Sequence, residues 1–204
     1  MGQIFRGAEK YLDQIDPDRI GWFVEIGTSR NGDDGSTRVI AEWAARFQKE
    51  LYTVDIDAYN IHFVSDLQIP NLKTYLGPGE TFFKTFPKHL GPVSFLYLDN
   101  FDWDWHPDNP EPFVIEQQAR YKQLGLEMTN VNSQRAHLEQ MMAAMPAMAE
   151  QSVVVLDDTW YNRWWGHYSG KGGAVVPYLL ANGYTVLETE EQPVYGTIMA
   201  RGIV

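Results

Sequence analysis

Trp22-Phe23-Val24-Glu25-Ile26-Gly27-Thr28-Ser29 is a short apolar run with one acid near its carboxyl end, closed by a glycine. A run of this kind, bounded by turn residues, reads as a strand buried on both faces. The loop Gly27 to Gly35 is rich in Gly, Asn, Asp and Ser. After it, Ser36 to Lys49 (STRVIAEWAARFQK) places apolar residues at helical spacing, with Asp34 or Ser36 as N-cap. A strand, a glycine loop and a helix form a ligand-binding arrangement. Glycine lets the backbone approach a ligand closely, and the helix start offers free N–H groups. Further on, Asp55 closes a second apolar run, Leu51 to Ile56, and an acid there can accept both hydroxyls of a ribose. The GxGxxG dinucleotide spacing is absent. That argues against a nicotinamide oxidoreductase and for a ligand without a pyrophosphate. The plain alternative is an ordinary βα turn with two solvated acids.

Outward from this unit the pattern repeats. Strands are expected at Asn71 to Leu76, Val93 to Leu98 (VSFLYL), Ser152 to Leu156 (SVVVL), Tyr184 to Thr189 and Val194 to Ala200. Helical patterns lie at Ile4 to Ile15, Gly79 to Leu90, Asn132 to Glu150 (interrupted at Pro146) and Ala174 to Ala181. Asn100 to Thr129 reads as irregular, and Thr159 to Gly173 as a Trp-, Tyr- and Gly-rich connection. Alternating helices and continuously apolar strands predict an α/β fold. It is a Rossmann-like, doubly wound, mostly parallel seven-stranded sheet with helices on both faces. The last two strands, around Glu190-Glu191-Gln192-Pro193, form a hairpin that places one antiparallel strand in the sheet. Ligands of such sheets bind outside the carboxyl ends of the strands. Glu25, Asp55, Asp99 and Asp157 all fall at or near such ends.

Composition narrows the classes. At 204 residues the chain is read as a single domain, 1–204. It has no cysteine, which excludes a disulfide framework, thiolate metal sites and cysteine nucleophiles. A net charge of -11 argues against nucleic-acid and anionic-membrane partners. The N-terminal segment has no apolar core of signal-peptide length, and no run approaches a membrane span. A cytoplasmic protein is therefore expected.

A second cluster is predicted where Asp99 ends one strand and Asp157-Asp158 end another. If those strands are neighbours, their tips lie about 5 Å apart. Carboxylates that close need a cation or protons, and an all-oxygen set suits a hard cation such as Mg²⁺. The alternative is that one acid caps a helix and the others face water. Asp102, His106 and Lys171 are candidate catalytic groups. Each also has a bland reading, Lys171 as part of a glycine-rich turn, Ser169-Gly170-Lys171-Gly172-Gly173, that leads into a helix. Iron chemistry would need paired His ligands, and His106, His137 and His167 are not at ligand spacing. Trp103, Trp105, Trp160, Trp164 and Trp165 follow the two acid-bearing strands. Trp103, Trp105 and Trp160 are expected to wall a site, and Trp164 and Trp165 to be buried by packing.

Phe23-Val24-Glu25-Ile26-Gly27-Thr28-Ser29 and Tyr52-Thr53-Val54-Asp55-Ile56-Asp57 resemble the first two motifs of class I S-adenosylmethionine-dependent methyltransferases. The chain is most similar to small metal-dependent O-methyltransferases of the catechol and macrocin type. The resemblance implies that Gly27, Thr28 and Ser29 line the methionine end of the cofactor, with Asp99 also on the cofactor side. It implies that Glu25 supports the loop, that Asp55 holds the ribose, and that Gly77-Pro78-Gly79-Glu80 lies on the adenine side. Leu98-Asp99-Asn100 and Leu156-Asp157-Asp158 match the family's metal ligands, so Asp99, Asp157 and Asp158 would hold Mg²⁺ or another hard divalent cation. The implied activity is metal-assisted methyl transfer to a hydroxyl of a small molecule. In some sugar-directed relatives an acid or His stands about where Asp102 does and serves as base, with His106 and His167 as alternatives here. Residues 100–131 would form an insertion on the substrate side, and self-association is common in such enzymes. The loop at Asn31 to Asp34 runs longer than the family's pattern. This motivates the alternative of a non-catalytic cofactor-binding or scaffold protein.

Overall fold

The computed structural model describes residues 4–29, 35–85, 91–108, 110–190 and 195–203. A 3-10 turn, Ile4–Ala8, runs into α1 (Glu9–Leu12) and stops before Asp16-Pro17. Then come β1 (Trp22–Ile26), α2 (Ser36–Arg46), β2 (Leu51–Asp55), α3 (Ala58–Asp66), β3 (Leu72–Leu76), α4 (Gly79–Thr85) and β4 (Val93–Leu98). The second half holds α5 (Pro112–Gln123), α6 (Asn130–Ala144), β5 (Met148–Asp157), β6 (Thr159–Asn162), β7 (His167–Gly170), α7 (Val175–Ala181), β8 (Thr185–Glu190) and β9 (Gly196–Arg201). The main sheet has seven strands in the order β3-β2-β1-β4-β5-β9-β8. β1, β2, β3, β4 and β5 pair in parallel, and β9 runs antiparallel to both β5 and β8. The expected doubly wound sheet with one antiparallel strand is therefore present.

The continuous apolar runs follow from burial of both faces. Successive strand residues point to opposite sides. Phe23, Phe95, Tyr97, Val153, Val155 and Ile198 pack on one face against Phe5, Leu12, Ile40 and Trp43. Val24, Ile26, Leu96, Leu98, Val154 and Met199 pack on the other against Phe82, Met141, Val175 and Leu179. Truncating one of these large side chains, such as Phe95→Ala, costs about 3–5 kcal/mol by lost burial and cavity formation.

The structure departs from the sequence reading at several elements, among them α3 (Ala58–Asp66), for which no helix was expected. Residues 112–123 form a helix, α5, where irregular chain was expected. Pro112 starts it at the first helical turn, a position that needs no N–H donor, and only Val114 is buried, so the apolar signal is weak. Residues Thr159 to Gly170 form a two-stranded ribbon, β6–β7, in place of a plain connection. Helix α6 ends at Ala144, and a 3-10 turn containing Pro146 leads straight into β5, which begins at Met148 well before Ser152. Ser36 is the first residue of α2 and Gly35 its N-cap, so the Ser36 hydroxyl is released for another contact. Asp34, the other N-cap candidate, lies outside the described residues. So do the loop residues Arg30 to Asp34, the tail of the Gly79 to Leu90 pattern, and Glu191-Gln192-Pro193.

Candidate active site

The strand order reverses between β1 and β4, and there the carboxyl ends of two neighbouring strands open a cleft. Gly27 stands at this point with φ +98°. A Cβ on it would fall 2.4 Å from the Asp99 carbonyl oxygen, so only glycine allows the two strand ends to lie this close. The cleft is lined by Gly27 and Thr28 after β1, Asp55 to Asp57 after β2, and Asp99 to Asp102 after β4, with Asn60 and Gly79 beside them. Arg120, Tyr121 and Leu124 of α5 complete the wall.

Glu25 does not reach the cleft. It is fully buried, and its carboxyl ties the cleft's first loop to the sheet. Ser36 Oγ donates to Oε1 at 2.5 Å, while Thr37 Oγ1 and Thr53 Oγ1 donate to Oε2 at 2.6 and 2.7 Å. The Ser29 N–H donates to Thr37 Oγ1, and Thr28 Oγ1 meets Thr53 Oγ1. Burial pushes the Glu25 carboxyl up to about 7, against the pull of the three hydroxyls.

Asp55 faces the cleft at the tip of β2. It accepts from the Thr28 N–H at 3.1 Å, the Asp57 N–H at 2.7 Å and Asn60 Nδ2 at 3.0 Å. Burial raises its carboxyl above the ordinary value. A carboxylate has about four acceptor positions, so one remains for a ligand hydroxyl. Asp57 caps α3 through the Tyr59 N–H and also takes the Arg120 guanidinium of α5, with Nε at 2.6 Å. This pair straps α5 across the cleft. It joins residues too far apart in sequence to be foreseen, and Asn60 and Tyr121 were missed for the same reason.

Asp99, Asp157 and Asp158 come together as expected. Their centre is an ammonium. Lys171 Nζ lies 2.9 Å from Asp99 Oδ1, 2.9 Å from Asp158 Oδ2 and 3.7 Å from Asp157 Oδ2, and the residue is only 3% exposed. Tyr97 Oη donates to Asp99 Oδ2 at 3.1 Å. Burial alone would strip the lysine of its proton, but the charges of Asp99, Asp158 and Asp157 outweigh it and hold Lys171 well above its usual range. Burial acts to raise Asp99 as well, yet the Lys171 charge and the hydrogen bonds to Asp99 bring it below the usual carboxylate range. Asp157 goes the other way, pushed well up by burial and then by the Asp99 charge.

Among the described residues no set of three His, Asp or Glu side chains is arranged to hold a metal ion. The donor chemistry gives the reason at the acid cluster. Its oxygens are committed to an ammonium. A divalent ion about 4 Å from that charge would be repelled by on the order of 8 kcal/mol at an effective dielectric of 20. The cluster as arranged does not fit Mg²⁺ beside a charged Lys171.

The remaining candidates separate. Asp102 lines the cleft, with its N–H donating to the Tyr121 hydroxyl at 2.9 Å. His106 is exposed and lines a second pocket with Trp105, Glu111, Phe113, Val114, Asp158 and Tyr195. Lys171 is not among the residues lining the cleft. His137 is buried on α6, far in sequence from His106 and His167, and burial lowers it to about 4, so it is neutral. Trp105 stacks on Trp160 at 5.2 Å, Trp103 meets Trp160 edge-on, and Tyr195 packs on both Trp105 and Trp160. Trp164 and Trp165, expected to be buried, are 95% and 75% exposed at the tip of the β6–β7 ribbon, where Asn162 Oδ1 accepts from both backbone N–H groups.

No family model matches the sequence, and no curated protein matches it. Solved structures do. A proposed methyltransferase from Streptococcus mutans in complex with SAH is 10% identical, with 98% of each chain covered and a TM-score of 0.55. An rRNA methylase from Streptococcus thermophilus is also 10% identical, with 98% of each chain covered and a TM-score of 0.52. The fold is that of class I S-adenosylmethionine-dependent methyltransferases. MycE of the mycinamycin biosynthetic pathway, solved with Mg, SAH and mycinamycin VI, shares this fold at 13% identity and a TM-score of 0.54. There the match covers 97% of this chain and 48% of MycE.

Proposed function

We propose that the chain is an S-adenosylmethionine-dependent O-methyltransferase acting on a hydroxyl of a small molecule. The observation that carries this reading is the cleft at the strand-order reversal, with Asp55 and Asp99 on either side of the Gly27 turn. In it, Asp55 would take a ribose hydroxyl. The Asp99 carboxylate and the Gly27–Ser29 backbone would meet the methionine end. S-adenosylmethionine supplies the electrophilic methyl group when bound. The protein's part is to place an acceptor oxygen in line with that methyl and to accept the hydroxyl proton. Asp102, on the cleft wall, is the candidate base, and His106, which lines the second pocket, is the other.

The second pocket, whose Asp158 shares the Lys171 ammonium with the cleft's Asp99, is the candidate acceptor site. Its Trp105 and Tyr195 walls, with Trp160 stacked behind Trp105, suit a sugar face or an aromatic ring. The net charge of -11 favours a small acceptor over a nucleic acid, although some proteins of this fold are rRNA methylases. Calorimetry with S-adenosylmethionine tests the reading. Saturable binding to the wild type, lost in Asp55→Ala, is the expected result. No binding would favour the alternative of a scaffold protein with this fold.

A further inference from the structure

We propose that the Lys171 ammonium is the resident cation of the Asp99/Asp157/Asp158 cluster. It stands where a divalent ion would otherwise be required, so the chain binds no divalent metal there. This goes beyond the methyl-transfer reading and does not depend on it.

Three features carry the inference. First, the ammonium is central and enclosed, with its side chain only 4% exposed. It meets carboxylates delivered by two different strands, Asp99 after β4 and Asp157 and Asp158 at and after the end of β5. An ammonium has N–H donors and no acceptor; Nζ donates to Asp99 Oδ1 at 2.9 Å, pairs with Asp158 Oδ2 at 2.9 Å and lies 3.7 Å from Asp157 Oδ2. Second, the backbone is built to bring this lysine back to the acids it follows. The β6–β7 ribbon leaves from Asp158 and returns at Gly170, which has φ +84°. A Cβ there would fall 1.8 Å from the Asp158 carbonyl oxygen. The Lys171 N–H then donates to that same carbonyl at 3.0 Å, and the Gly172 N–H donates to Thr159 Oγ1 at 2.8 Å. Third, the lysine does not line the cleft, whereas Asp99 does, and Asp158 lines the aromatic pocket. Lys171 thus acts through two carboxylates that face two pockets. It is a positioning residue that fixes both, as a metal ion would, while leaving no coordination position for an acceptor oxygen.

The test is calorimetry of the full chain with MgCl₂ alone and MnCl₂ alone at millimolar concentration. Wild type is expected to show no saturable heat and no melting shift. Lys171→Met keeps most of the stem and removes the charge. It is expected to gain a saturable site near one ion per chain, and a melting rise of about 5 °C at a metal concentration about a hundred times its Kd, reversed by EDTA. Saturable binding of one ion by the wild type, abolished in Asp158→Asn, would overturn the proposal. So would a folded Lys171→Met that ignores metal. If that variant does not fold, the wild-type titration decides by itself. An S-adenosylmethionine titration in the same series keeps the two readings apart, since loss of cofactor binding leaves the metal result standing.

Discussion

Replacing Glu25 by Gln should change how stability depends on pH, in a direction fixed by burial. In the folded chain the Glu25 carboxyl holds its proton up to about 7, whereas its ordinary value is 4.5. Between those two values the native state binds a proton that the unfolded chain has lost. Stability therefore falls as pH rises through this window, and the loss is complete above the folded value. At 1.36 kcal/mol per unit, the loss is about 3 kcal/mol, undiminished by solvent because the group is fully buried. Gln can replace the neutral acid with little disturbance. Its oxygen can accept from Thr37 and Thr53, while its amide donates to the Ser36 hydroxyl. Urea unfolding of wild type and Glu25→Gln should give nearly equal stabilities near pH 4.5. The variant should then pull ahead by about 3 kcal/mol near pH 8, a midpoint difference of about 1.5 M urea at a typical slope. Asp55 and Asp157 titrate in both proteins and drop out of the difference. A gap between the two proteins that stays constant across this range would refute the reasoning, because Glu25 would then not be the proton holder.

Asp55→Asn should keep the fold and weaken S-adenosylmethionine binding about 10- to 150-fold, the worth of a hydrogen bond to a charged group, as read by calorimetry. Gly170→Ala should destabilise the chain by at least about 2 kcal/mol in a melting experiment, because the added Cβ meets the Asp158 carbonyl and the φ is left-handed. Trp160→Ala should leave cofactor affinity within about twofold while raising the acceptor KM, because the ring supports the pocket wall rather than the cleft. Breaking the strap with Arg120→Ala should speed cofactor release in stopped-flow. Unchanged release would show that α5 does not move.

The sheet was legible because its strands are buried on both sides and end in acids. VSFLYL running into Asp99 and SVVVL running into Asp157 could hardly be anything else. The gathering of Asp99, Asp157 and Asp158 followed from adjacency of β4 and β5. What occupies their centre did not, because Lys171 reaches them only through the β6–β7 ribbon. That ribbon has no apolar alternation to announce it, as Trp160 and Tyr161 are both half-buried and Trp164 stands in solvent. Glycines that looked like an ordinary helix approach in fact place the lysine. Helix α5 escaped notice because it rests on Val114 and the Arg120 strap rather than on an apolar stripe.

The Tyr97–Asp99–Lys171–Asp158 chain also has a thermodynamic consequence. One ammonium is shared by a carboxylate in the cleft and a carboxylate in the aromatic pocket. A positively charged guest beside Asp99 draws on negative charge that Lys171 also uses, and the loosened lysine then leans on Asp158. Any coupling that this shared ammonium carries between the two pockets is reciprocal: an occupant of one would alter the affinity of the other by the same factor as the reverse.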